Sequence, residues 1–306
     1  MYPLGDLTGR TVLVTGTTSG LGLAASTALA RAGARVLMTA RDRERGAAAV
    51  AQVGHAAELV LLDLADLASV RAAAAQVRER TGDRLDVLLN NAGVAMGPRR
   101  ATADGFELQI GTNHLGPAAL TWLLMPALRT AGDPDRPSRV VTTTSLGHRS
   151  GGLDLTDLHW TRRRYGPNAA YGASKLANLL FAAELDRRLR LAADPVVSVA
   201  AHPGMTESSL LSNSFRRGAG ALSWWFVPWD RWLTSPVSEG VGPQLAAAAG
   251  PVHGGDFLGP SGPFELHGPP GPARRSGAAG DPVLAGRLWH VTASATGVTP
   301  DPGRTV

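Results

Sequence analysis

Two residues in this chain could exchange a proton with a bound molecule: Tyr171 and Lys175, in the run Tyr171-Gly172-Ala173-Ser174-Lys175. On a helix, residues four apart share a face, so the phenol and the ammonium point the same way. A hydroxyl with an ordinary pKa of about 10 beside a positive charge is biased toward its phenolate and becomes an acid–base group. Lys+Arg is 30, and Lys175 is the single Lys among them. A chain that uses Arg everywhere else keeps a compact ammonium on a flexible stem here. Ser145 adds a hydroxyl at the end of the β-rich run Arg139-Val140-Val141-Thr142-Thr143-Thr144. Asn113 lies in a helical pattern from about Phe106 to Leu128, just before Gly116-Pro117. Taken alone, Asn113 reads better as a satisfied polar residue at a kink than as a catalytic group.

These groups need strands and helices to hold them, and the pattern supplies both in alternation. Arg10–Thr15 is a short β-rich run that stops at Gly16; Gly16-Thr17-Thr18-Ser19-Gly20-Leu21-Gly22 follows, then an Ala/Leu helix pattern over Leu23–Arg31. In a strand–turn–helix context, Gly16 permits the tight turn and Gly20 lets backbone N–H groups approach a pyrophosphate. Gly22 then allows the helix to pack closely. The spacing Gly-x-x-x-Gly-x-Gly is wider at the front than Gly-x-Gly-x-x-Gly, and dinucleotide binding is preferred over an ordinary glycine-rich turn.

Ala34–Ala40 reads as a second strand ending at Arg41. In a dinucleotide fold an acidic residue at this place holds ribose hydroxyls, whereas Arg accommodates a 2′-phosphate. Arg41 therefore favours NADP(H), and the neighbouring Asp42 keeps NAD(H) open. Glu58–Leu62 is a third strand, with Asp63 and Leu64 at its end, and Asp63 is placed to accept from an adenine amino group. A helix over about Ser69–Arg80 has Asp66 or Ser69 as its cap. Asp86–Asn90 forms a fourth strand opening into Asn91-Ala92-Gly93, small enough to admit a flat cofactor. The strand before Ser145 is the fifth, and the helix bearing Tyr171 runs to about Leu191. Val196–Ala201 is the sixth, ending in His202-Pro203-Gly204-Met205-Thr206. Such alternation predicts a doubly wound α/β domain of Rossmann type, with about seven parallel strands and both faces covered. Residues 1–306 read as one domain.

Composition narrows the function classes. With 306 residues and 44% hydrophobic content, the chain can bury a large core. The net charge of +5 is spread over Arg residues interleaved with Asp and Glu, so no nucleic-acid patch is expected. The absence of Cys excludes disulfides, thiolate metal sites and Cys nucleophiles, and no metal site is expected. Met1–Arg10 lacks a basic-then-apolar leader, and no stretch is apolar enough to span a membrane, so a cytoplasmic protein is the expectation.

The motifs Thr15-Gly16-x-x-x-Gly20-x-Gly22, Asp63, Asn90-Asn91-Ala92-Gly93, Asn113, Ser145, Tyr171-x-x-x-Lys175 and Pro203-Gly204 occur in one order over residues 10 to 206. This set resembles the short-chain dehydrogenase/reductase family. Thr39-Ala40-Arg41-Asp42, Thr112-Asn113-His114-Leu115-Gly116, Ser174-Lys175-Leu176-Ala177-Asn178 and Arg287-Leu288-Trp289 are similar to its retinol dehydrogenase and carbonyl reductase-like branch. Thr144 stands where a second Ser is common. The resemblance implies a site of Asn113, Ser145, Tyr171 and Lys175. Tyr171 would give a proton to a carbonyl oxygen or take one from an alcohol, and Ser145 would polarise that oxygen. Lys175 would lower the Tyr171 pKa and bond the nicotinamide ribose, while Asn113 would hold a water leading to solvent. Thr18, Ser19 and Leu21 would join the glycines at the cofactor, and Pro203, Gly204 and Thr206 would line its nicotinamide end.

Beyond Gly204 the pattern changes. Trp224, Trp225, Trp229 and Trp232 fall close together in a chain with only seven Trp. In the family, this region (205–240 here) is the substrate-binding loop. A lid over a lipophilic substrate, with Met205, Trp224 and Trp225 in contact with it, is preferred to core or dimer packing, and both to docking on a membrane surface. Residues 250–306 resemble a Pro/Gly-rich C-terminal extension, with a short helix at Leu284–Trp289. The expected protein is an NADP(H)-dependent oxidoreductase interconverting carbonyl and alcohol on a lipophilic small molecule, and a homodimer. The alternatives are a non-catalytic NADP-binding or redox-sensing protein and a membrane-docked retinoid-type dehydrogenase.

Overall fold

Strand ends decide where chemistry can happen in a parallel sheet, so the order of strands comes first. In the computed structural model, which describes residues 2–205 and 236–302, eight strands form one sheet in the order β3-β2-β1-β4-β5-β6-β7-β8. They are β1 (Thr11–Val14), β2 (Arg35–Ala40), β3 (Ala57–Leu61), β4 (Val87–Asn90), β5 (Ser138–Thr143), β6 (Val196–Ala201), β7 (Phe257–Pro260) and β8 (Pro270–Pro272). β1 pairs in parallel with both β2 and β4, so the chain reverses its direction of winding there and leaves a crevice at the carboxyl ends. The first seven strands are parallel, and β8 runs antiparallel at the edge. Two prolines suit an edge strand, whose outer N–H groups have no ladder partner to lose. The Pro/Gly-rich stretch expected to be an extension thus contributes two strands to the sheet itself.

Helices cover both faces. α1 (Gly20–Arg31), α2 (Arg43–Val53), a single turn α7 (Val237–Gly240) and α8 (Gly242–Ala249) lie on one side, where Ala25, Leu29, Ala49, Leu245 and Ala248 pack on Val12, Val14 and Met38. On the other side are α3 (Leu67–Thr81), α5 (Gly116–Ala131), α6 (Pro167–Leu191) and α9 (Pro282–Thr296), which bury Val70, Leu124, Leu185 and Trp289 against Leu13, Leu88 and Val140. Asp66 accepts from the Ala68 and Ser69 amides and so starts α3 two residues earlier than the predicted Ser69. Asp281 does the same for α9, which runs well past the predicted Leu284–Trp289. No helix among the described residues is long and apolar enough to cross a membrane. Thr206 and the Trp224–Trp232 cluster lie outside the described residues, as does most of the expected lid.

Candidate active site

The turn after β1 is built by three glycines doing different work. Gly16 has φ of 71°, and a Cβ there would come within 2.8 Å of Ala92 Cβ. At Gly22 a Cβ would lie 2.2 Å from the Gly16 carbonyl oxygen and 2.6 Å from Asn91 Nδ2, so α1 can sit this close only with glycine. Gly20, with φ of 58°, has nothing within 4 Å of its Cβ position and faces open space at the start of α1. The first turn of α1 carries no acidic residue. A 12-residue helix therefore presents an uncompensated positive end, with Thr18, Ser19, Gly20 and Leu21 around it. That is the donor set a pyrophosphate needs.

Neighbouring strand ends are tied to this turn. Thr15 Oγ1 accepts the amides of Asn91 (2.9 Å) and Ala92 (3.0 Å), and Asn91 Nδ2 donates to the Thr15 carbonyl at 2.8 Å. Gln244, from α8, donates to Asn91 Oδ1 at 3.0 Å and Thr143 Oγ1 at 2.9 Å, joining the ends of β4 and β5. At the end of β2, Arg41 is exposed. Asp42 spends its carboxylate capping α2 through the Arg45 amide at 2.9 Å. Asp63 Oδ1 accepts the Ala65 amide at 2.9 Å, and Leu64 beside it is buried.

Asn113 occupies a single π-helical stretch, Gly111–Leu115, between α4 (Leu108–Ile110) and α5. The wider turn is the kink anticipated near Gly116-Pro117, and it turns Asn113 inward to zero exposure. Its Oδ1 accepts the Val94 amide at 2.7 Å, and its Nδ2 donates to the Val94 carbonyl and to Ser174 Oγ, both at 2.9 Å. Ser174 Oγ in turn donates to the Tyr171 carbonyl at 2.8 Å. Asn113 thus stitches the loop after β4 to the helix bearing Tyr171, and its own amide is fully satisfied. A Cβ at Gly93 would lie 3.1 Å from Asn113 Oδ1 and 3.4 Å from Lys175 Nζ, so Gly93 is the opening between them.

Ser145, Tyr171 and Lys175 do come together. Ser145 lies two residues past β5 and caps the 3₁₀ turn Leu146–Arg149 through the Gly147 amide at 3.2 Å. Its hydroxyl is hydrogen-bonded to the Tyr171 phenol. Lys175 Nζ lies 5.7 Å from the centre of the Tyr171 ring and donates to the Thr143 carbonyl at 3.4 Å. Burial pushes the Tyr171 phenol up, and the Ser145 bond only partly offsets it. Burial also pushes the Lys175 ammonium down, to about 8. The sequence predicts a phenol shifted toward phenolate; here burial is the largest influence and shifts it the other way.

Beneath this layer, Asn178 Nδ2 donates to the same Thr143 carbonyl at 3.1 Å. The Asn178 side chain also bonds His114, whose Nε2 meets Thr292 Oγ1 of α9 at 2.8 Å. Burial holds the His114 pKa down to about 4, so the ring is neutral. Sequence reasoning missed the supporting roles of Gln244, Ser174, His114 and Asn178. A lone amide in the Ala-rich run Gly242-Pro243-Gln244-Leu245-Ala246 was the one available signal for Gln244. Pro203, Gly204 and Met205 follow β6; Gly204 has φ of 71°, and Met205 is half-buried.

A family model described as short chain dehydrogenase matches residues 10–218. Polyprenol dehydrogenase of Mus musculus is 40% identical over 294 residues, 92% of this chain and 82% of that protein. Retinol dehydrogenase 11 of Homo sapiens is 36% identical over 302 residues, 97% of this chain and 88% of that protein. Among solved structures, one described as the Pseudomonas aeruginosa RhlG/NADP active-site complex matches with a TM-score of 0.68 and 26% identity, over 87% of this chain and all of that one.

Proposed function

The chain belongs to the short-chain dehydrogenase family, and with that as premise we propose that it interconverts a ketone or aldehyde and the corresponding alcohol on a lipophilic small molecule, with NADP(H) as its preferred cofactor. The observation that carries this is the convergence of Ser145, Tyr171 and Lys175 at the carboxyl end of β5, next to the open glycine turn. When bound, the nicotinamide cofactor supplies or accepts the hydride. Everything else falls to the chain's own groups. Backbone amides at the start of α1 bind the pyrophosphate, and Arg41 takes the 2′-phosphate, since Asp42 is already engaged as a helix cap. Ser145 Oγ orients the substrate oxygen. The Tyr171 hydroxyl delivers a proton to that oxygen during reduction and removes it during oxidation. Lys175 keeps its charge at neutral pH, because a pKa of about 8 still leaves it mostly protonated, and so stabilises the phenolate that reduction leaves behind. The names of the polyprenol and retinol dehydrogenase relatives support a lipophilic substrate, and the NADP complex supports the cofactor.

The test is a panel of ketones, aldehydes and prenyl-type alcohols, followed at the nicotinamide absorbance with NADPH, NADH and their oxidised forms. Tyr171→Phe should lower kcat by about a hundredfold or more, while the cofactor still binds. Equal, marginal rates for wild type and Tyr171→Phe across the panel would remove the basis for an enzyme.

A further inference from the structure

Behind the ends of β5 and β6 lies a polar cluster with no part in the chemistry above. His202 is completely buried. Its Nδ1 accepts the Gly204 amide at 3.2 Å, which leaves the ring proton on Nε2, and Nε2 donates to Glu265 Oε2 at 3.0 Å. The same oxygen accepts Arg149 Nη2 at 2.8 Å, and Glu265 Oε1 accepts the Arg274 amide at 3.1 Å. Arg149 closes the turn that Ser145 caps. One carboxylate therefore holds the turn after β5 and the turn after β6 together.

The surrounding backbone is shaped to allow this. A Cβ at Gly259 would lie 2.1 Å from His202 Nε2, and one at Gly204 would lie 2.3 Å from the Leu266 carbonyl oxygen. That same oxygen accepts the Met205 amide at 2.9 Å. Phe264 and Glu265 both adopt left-handed backbone, with φ of 55° and 60°, although neither is glycine. Non-glycine residues hold such conformations where surrounding contacts over-determine them, and these cluster where geometry matters for function.

We propose that Glu265 is a positioning residue: through His202 and Arg149 it fixes the separation between the Ser145 turn, which faces the substrate oxygen, and the Pro203-Gly204 turn, which faces the nicotinamide end of the cofactor. What the two turns face rests on the proposed function; the cross-brace itself does not. Glu265→Gln keeps the volume but removes the charge that both arms use and puts a donor either at Oε2, against His202 and Arg149 together, or at Oε1, against the Arg274 amide. Arg149→Gln cuts one arm at a partly exposed side chain and leaves the His202 bond in place.

Two measurements on the full chain decide the matter. In hydrogen–deuterium exchange without ligand, Glu265→Gln should raise exchange in both 146–150 and 203–205 while leaving the turn after β1 unchanged. A rise confined to 263–274 would overturn the brace. In binding titrations, NADPH should weaken about five- to tenfold, the scale of one ordinary hydrogen bond, while 2′,5′-ADP, which lacks the nicotinamide, should stay within about twofold. Arg149→Gln should show the same split, smaller in size, and Glu265→Asp should recover part of the NADPH loss. Equal losses for NADPH and 2′,5′-ADP would mean general damage and overturn the positioning role. If the wild-type chain bound neither ligand, the cofactor assignment would fall, and the exchange result alone would uphold or reject the brace.

Discussion

Lys175 should be a liability to the fold that the chain carries for its chemistry. The residue is 4% exposed, and its ammonium donates to the Thr143 carbonyl at a long 3.4 Å. Burial lowers its pKa from 10.5 to about 8. At about 1.4 kcal/mol per tenfold change in proton affinity, that displacement is worth roughly 3 kcal/mol against the charged form. The sign follows from linkage. Below pH 8 the folded and unfolded chains both carry the proton, and the whole penalty is present. Between pH 8 and 10.5 the folded lysine sheds its proton first, so stability rises with pH across that window. Tyr171, whose pKa is raised, works in the opposite direction only above pH 10. Lys175→Met removes the charge at nearly constant volume and strands no partner, because the Thr143 carbonyl keeps its bond from Asn178 at 3.1 Å. Urea unfolding at pH 7 should therefore find the variant more stable than wild type by about 2–3 kcal/mol. That advantage should shrink steadily as the pH is raised from 8 toward 10, while turnover is lost. A variant less stable than wild type at pH 7, or an advantage that does not change with pH, would refute burial as the dominant influence on Lys175.

Arg41→Ala should weaken NADPH binding by about tenfold or more, the scale of a charge-assisted bond to phosphate, and NADH binding by less than about twofold. Fluorescence titration reads both, and comparable losses would overturn the preference for NADP(H). Gly22→Ala places a methyl group 2.2 Å from a backbone oxygen and 2.6 Å from Asn91 Nδ2, neither of which can yield cheaply. Overpacking of this kind costs about 1–3 kcal/mol and should lower Tm by several degrees in calorimetry. An unchanged Tm would mean that α1 does not pack on the turn as described.

Much of the site was legible because its signals are local. The strand–glycine turn–helix pattern, the Tyr171/Lys175 spacing and the six strand runs are each written within a few consecutive residues, and the structure reproduces them to within a residue or two. The eighth strand was not legible, because Pro270-Gly271-Pro272 has no strand propensity and pairs only because Leu258–Pro260 is already there. Asn113 shows the same limit from another side. Its sequence suggests a kinked helix with a satisfied amide, and both are present. Its partners, Val94 and Ser174, are 19 and 61 residues away and could not be read from the pattern. Gln244 and Glu265 were silent for the same reason: each matters through residues that only the fold brings near.

The bond between His114 and Thr292 spans 178 residues of chain, and this sets an order of events during synthesis. The strands and glycine turn of the dinucleotide half are complete once β4 has emerged, and the π-turn bearing Asn113 follows at once. Its brace in α9 is among the last segments made. At roughly 5–20 residues per second, the gap between His114 and Thr292 leaving the ribosome is on the order of 10–35 s. During that interval His114, buried beside the site in the finished fold, is without the Thr292 hydroxyl that it meets there.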